Sequence, residues 1–261
     1  MFNFHLAMSW LRHRFKAKTR HGVHSPFVYR LIDEVLYNFT PMSDFSPIEN
    51  LRKKLLTDKR IITITDLGAG SHVNNNKQKQ VKQLARHALK PARISQLLYR
   101  IVNERQPQNS IELGTCLGIT TAYLAKAAPA SRVITIEGCP QTAAAAQENL
   151  ELLEVKNVEV KTGNFDTVFP EILGGLDKID FVFIDGNHRK EATLNYFQQC
   201  LSKVTSSSLL VFDDIYWSRE MTEAWEEIKN HPDVSLTVDL FWIGLVYFRK
   251  GQAKEHFKVK F

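Results

Sequence analysis

Residues 111–121 read IELGTCLGITT: an apolar run that ends in an acid and a glycine, with a second glycine four residues on. Ser110, Ile111 and Leu113 predict a strand. Gly114 and Gly118 allow the tight turn that a side chain would obstruct, and Thr120-Thr121-Ala122-Tyr123-Leu124-Ala125 opens a helix. Such a turn sets free backbone N–H groups and a helix N-terminus beside a ligand. Cys116 stands where the middle glycine of the dinucleotide fingerprint lets a pyrophosphate approach. A nucleoside ligand without a pyrophosphate fits better.

The next strand narrows the reading. Arg132 to Glu137 (RVITIE) is apolar and ends in an acid, roughly 20 residues past the turn, where nucleotide-binding α/β folds hold a ribose hydroxyl pair. Glu137 is therefore the ribose candidate. Glu112 and Glu137 could each be an ordinary strand-end acid, but the pair at this spacing favours the ligand reading.

IELGTCLG, VITIEG, FVFIDGNH and VFDD, in this order and spacing, resemble class I S-adenosylmethionine-dependent methyltransferases, and among them the O-methyltransferases related to catechol O-methyltransferase. The resemblance covers about residues 90 to 250. It implies an α/β, Rossmann-like, seven-stranded doubly wound sheet whose last strand is antiparallel. The expected division is residues 1–90 as a mainly helical extension or substrate cap and 91–261 as the methyltransferase domain. S-adenosylmethionine would meet Glu112, Gly114, Thr115, Gly118, Thr120 and Glu137, then Gly163, Asn164, Phe165 and Asp166 after the third strand, with Asp185 bordering the site. The family contacts adenine through an amide or acid and a flanking apolar ring; which of Asn164, Phe165 and Asp166 does which stays open.

Asp185, Asp213 and Asp214 fall at the ends of two strands that should be neighbours. Converging carboxylates repel one another unless a cation sits among them, and oxygen ligands favour magnesium or calcium over zinc. The resemblance implies the same: catechol-type enzymes hold a divalent ion with an aspartate after the fourth strand and an Asp-Asn pair after the fifth. Asp214 replaces that asparagine, keeping an oxygen ligand and adding a charge. The alternative is that the acids orient loops or bind the cofactor's amino group without a metal. Where those relatives carry a lysine, three residues past the first aspartate, this chain has His188, a residue type that can serve directly as a base. Otherwise His188 only caps the helix through Glu191.

With 44% hydrophobic and 24% charged residues, 261 residues suit a soluble globular protein with a full core. Cys116, Cys139 and Cys200 lie far apart with no C-x-x-C spacing, which signals neither a zinc site nor a disulfide framework and suits a reducing cytoplasm. No apolar run reaches the roughly 18 residues of a membrane span. The net charge is +6, and Arg12, Arg14, Lys16, Lys18, Arg20 and Arg30 all precede the first acid, Asp33. Phe4, Met8, Leu11 and Phe15 recur at helical spacing among them. This amphipathic helix can dock on its own domain, on a twin subunit as a homodimer, or on a membrane surface, docking on protein being the simpler expectation. The arm carries no aromatic-interleaved RNA motif, so no nucleic-acid partner is expected. His21 and His24 lack a third ligand nearby.

Ile61 to Gly70 ends in DLGAG, a second glycine turn of methyltransferase type, but the residues after it, Ser71 to Gln80, are too polar to pack as a helix on a sheet. A hairpin or a polar flap over the substrate is expected instead. Helices over 81–88 and 94–103, strands over 158–161, 179–184 and 208–212, and a terminal hairpin over 234–240 and 242–248 complete the pattern. Trp217, Met221, Trp225 and Ile228 mark one helix face. The expected activity is O-methylation of a small or medium hydroxylated acceptor, with S-adenosylmethionine and a divalent cation such as Mg2+. Metal-independent N- or O-methylation, or a cofactor-binding module recruited to RNA or membrane by the arm, are the alternatives.

Overall fold

Proline at a helix's first turn, glycine at its ends and apolar runs between them place the elements where the spacing predicts. The structure is a computed structural model and describes residues 4–65 and 78–261. Asp66–Gly70 and the polar residues through 77 lie outside the described residues. Two compact units form, Met1–Asn38 with Leu173–Phe261, and Phe39–Ile172. The boundary expected at residue 90 falls inside the second unit.

The first unit begins with α1 (Phe4–Lys16) and α2 (Pro26–Arg30), which Pro26 starts and a π-helical turn, Leu31–Leu36, extends. The apolar stripe of α1 is not covered by its own unit: Phe4, Leu11 and Phe15 are 70%, 43% and 81% exposed. Two histidines of the helix make contacts instead. His13 is buried, with Nε2 3.1 Å from Asp239 Oδ1, and His5 Nε2 lies 3.0 Å from Thr222 Oγ1.

The second unit holds α3 (Phe45–Leu55), then β1 (Ile61–Thr63) and β2 (Gln78–Gln80), which pair antiparallel. α4 (Val81–Ala88) and α5 (Ala92–Arg105) lead into β3 (Asn109–Leu113), α6 (Ile119–Ala127), β4 (Arg132–Glu137), α7 (Pro140–Leu152), β5 (Val158–Thr162) and α8 (Phe165–Gly174). β3, β4 and β5 run parallel, Ile134 facing Ile111 on one side and Glu159 on the other. Leu97, Leu98, Val102, Ile111 and Leu124 are fully buried, each worth about 1.5–3 kcal/mol relative to exposure.

Back in the first unit come β6 (Ile179–Ile184), α9 (Lys190–Leu201), β7 (Val204–Asp213), α10 (Arg219–Asn230), β8 (Leu236–Asp239), β9 (Ile243–Tyr247) and β10 (Glu255–Lys258). β6 and β7 are parallel; β9 runs antiparallel between β7 and β8, as the expected last strand should. β10 is an addition, parallel to β8 at the edge, so these two units carry eight such strands where seven were expected. Met221, Trp225 and Ile228 are core, whereas Trp217 precedes α10 and is 42% exposed.

Candidate active site

In the second unit the turn after β3 is built as its glycines require. Gly114 (φ 107°), Cys116 (φ 50°) and Gly118 (φ 76°) are left-handed, and a Cβ on Gly118 would lie 3.2 Å from the Ala146 carbonyl oxygen. Two amides then fix Glu137: Cys116 N–H donates to Oε2 at 2.8 Å and Cys139 N–H to Oε1 at 3.0 Å. The ribose candidate thus sits beside the turn, half-exposed, at the carboxyl end of β4.

Glu112 has a different setting. It is fully buried, and Oε2 accepts from Thr121 Oγ1 (2.5 Å) and Thr135 Oγ1 (2.7 Å), bracing strand to helix. Thr115 is buried 2.6 Å from the same Thr135 hydroxyl, and Thr120 is buried in the first turn of α6. Sequence reasoning missed Thr135 and Thr121; the available signal was a hydroxyl in the middle of VITIE, inside an otherwise apolar strand.

After β5, Gly163 (φ 155°) is confined by Val168, whose methyl would be 2.7 Å from an added Cβ. Asn164 begins α8: its Oδ1 accepts from Asp166 N–H at 2.9 Å, and its carbonyl accepts from Thr167 and Val168. Phe165 is half-buried, and Asp166 is exposed.

The acids group in the first unit, beyond the carboxyl ends of β6 and β7. Asp185, His188 and Asp213 each bring one ligand atom within 4.8 Å of the others. Asp213 is buried as the last residue of β7, while Asp185 and His188 are half-buried. His188 Nε2 lies 3.7 Å from Asp185 Oδ1 and 4.0 Å from Asp214 Oδ2. Asp214 turns out of the strand at φ 51°, its N–H donating to the Trp242 carbonyl at 2.7 Å, and Asn187 is left-handed at φ 50°. Such strained positions persist where surrounding structure imposes them, commonly at functional sites. α9 begins at Lys190 with Arg189 at its N-cap and no side-chain cap, so His188 is not its cap.

Two carboxylates and an imidazole suit a divalent cation. Donors about 2.0–2.6 Å from an ion lie at most about 4–5 Å apart, so this group needs only small side-chain adjustments. Asn187 Oδ1, in the same loop, is buried without a hydrogen-bond partner among the described residues, a further oxygen available to the site.

Residues 111–215 match the family described as methyltransferase domain. Over that stretch the chain is similar to methyltransferase domains. The stretch includes both residue sets above. Over 113 residues the chain is 34% identical to a catechol O-methyltransferase of Niastella koreensis, covering 42% of this chain and 50% of that protein. The chain thus spans about half the length of the curated relatives it matches. Among solved structures, an S-adenosylhomocysteine-bound methyltransferase of Podospora anserina superposes with a TM-score of 0.61 at 11% identity, over 87% of this chain and 97% of that one. An O-methyltransferase of Bacillus cereus in complex with S-adenosylhomocysteine gives 0.56 at 20% identity, over 81% and 93%. These two share the fold. No described helix is long and apolar enough to cross a membrane.

Proposed function

We propose that this methyltransferase domain transfers the methyl group of S-adenosylmethionine to a hydroxyl of a small or medium acceptor, assisted by a divalent cation. The observation that carries the reading is the Asp185, His188, Asp213 group at the ends of two strands of a matched methyltransferase domain. Relatives named catechol O-methyltransferase support a hydroxyl acceptor. Gly114, Thr115, Gly118 and Thr120 shape the cofactor turn; Glu137 takes the ribose, and Asn164, Phe165 and Asp166 border the adenine. Glu112 holds the hydroxyls of Thr121 and Thr135 beside the turn.

Methyl transfer is an in-line displacement, for which the protein supplies alignment and a deprotonated nucleophile. Asp185 and Asp213 would hold the cation, and Asp214 would complete the set. A bound Mg2+ lowers the pKa of an acceptor hydroxyl. His188 removes the hydroxyl proton through Nε2, and Asp185 and Asp214 beside it stabilise the imidazolium that results. A second reading has its own observation, since the same Nε2 belongs to the clustered ligand atoms: His188 is then a ligand, and the site prefers Mn2+ or Zn2+ to Mg2+. The proposed partners are a small hydroxylated molecule and, through α1, a membrane surface.

Asp185→Ala tests the site. Transfer to a catechol panel should fall at least about a hundredfold, the several kcal/mol a cation contributes, while S-adenosylhomocysteine still binds by calorimetry. Full activity in that variant would sink the proposal. For His188→Gln, lost activity with unchanged metal-binding heat marks a base, whereas lost Mn2+ heat marks a ligand.

A further inference from the structure

The exposed face of α1 has no place in the chemistry above. At 3.6 residues per turn Leu11, Phe4, Phe15 and Met8 occupy about 60° of arc, with Arg14 about 60° beyond one edge and Arg12 about 40° beyond the other. His13 lies on the opposite side, buried against Asp239. The helix is thus fixed to its unit through one face and turns an apolar crest outward, Phe15 at 81% exposure and Phe4 at 70%. Arg12, Arg14 and Lys16 are exposed and have no ion-pair partner among the described residues; Trp10, on the Arg14 side, is 48% exposed.

We infer that the α1 crest of Phe4, Met8, Leu11 and Phe15, flanked by Arg12 and Arg14, docks this protein on an anionic lipid surface. A helix lying in a membrane interface needs an apolar ridge for the acyl boundary and cations on both shoulders for the headgroups. Arginine suits those shoulders because its stem lies along apolar surface while the guanidinium reaches the phosphates. Charge selects among occupants. A second copy would bring a like-charged helix, and no acid lies within the first 32 residues to answer it. RNA would pair with the cations but leave the crest wet. An anionic bilayer satisfies both.

Vesicle flotation of the full chain tests this, with phosphatidylcholine alone and with added phosphatidylglycerol, at low and high salt. The expected result is flotation with the anionic vesicles, loss with salt, and no flotation with the neutral ones. Leu11→Ser with Phe15→Ser should weaken partition at least about tenfold, and Arg12→Ala with Arg14→Ala about tenfold to thirtyfold. Both pairs are exposed, so thermal midpoints should hold. The inference is overturned if neither vesicle retains the protein, if the serine pair floats like wild type, or if RNA displaces the vesicles. It is equally overturned if light scattering shows a dimer that the serine pair dissolves. Methyl transfer measured on the same variants should be unchanged, which separates failure of this inference from failure of the active-site reading.

Discussion

Glu137 owes its position to the amides of Cys116 and Cys139, one from the glycine turn and one from the loop that follows β4. Hydrogen bonds to a charged acceptor contribute about 1.5–3 kcal/mol each, so the carboxylate is held where a ribose diol could meet it. Glu137→Gln removes the charge and turns one acceptor into a donor facing an amide. The expected result is a Kd for S-adenosylhomocysteine raised about tenfold to a hundredfold in calorimetry. Wild-type affinity in this variant would take the ribose role away from Glu137. Its place was legible because strand length and turn length fix the separation of two acids along the chain. The setting of Glu112 was not, because inward and outward faces of a short strand differ by one residue of register, and only the fold shows Thr121 and Thr135 closing on it.

Gly244 decides how β9 packs. A Cβ there would lie 2.5 Å and 2.6 Å from ring carbons of Trp225, which α10 holds at 1% exposure. Gly244→Ala overpacks this contact, at about 1–3 kcal/mol, and should lower Tm by about 3–10 °C in calorimetry. An unchanged Tm would mean that the ring has room to move. β3, β4 and β6 were legible as unbroken apolar runs of buried parallel strands. β10 was not: EHFK is polar, and it forms beside β8 at the sheet edge. α8 was hidden by Pro170, which reads as a helix breaker yet lies inside the helix. In α1 the helix and its apolar stripe were both legible, but periodicity says which face is apolar, not which face is covered.

The two ends of the chain build one unit. Lys18 pairs with Val259, and Tyr37 Oη donates to the Lys260 carbonyl at 2.7 Å. Deeper in, Asp239 meets His13 at 3.1 Å, accepts from Tyr216 Oη at 2.6 Å and has Lys258 Nζ 3.6 Å away. Burial alone would push the Asp239 carboxyl up; the His13 and Tyr216 hydrogen bonds and the Lys258 charge outweigh it and hold the carboxyl below its ordinary range. The folded state therefore binds this proton more weakly than the unfolded chain. The stabilisation is full above the unfolded value of about 3.9 and is lost as pH falls through the depressed folded value. His13→Ala leaves the carboxylate buried with one partner fewer, at about 3–5 kcal/mol, and lets burial raise its pKa. Melting followed from neutrality into acid should then show a lower Tm throughout and a loss of stability that begins at higher pH than in wild type. Asp239→Asn should instead flatten the acid limb, because the group that must take up the proton is gone. If His13→Ala and wild type lose stability over the same pH range, the buried pair does not set the acid limit, and the joining of the chain's ends depends on the Lys18–Val259 pairing and the Tyr37 hydrogen bond instead.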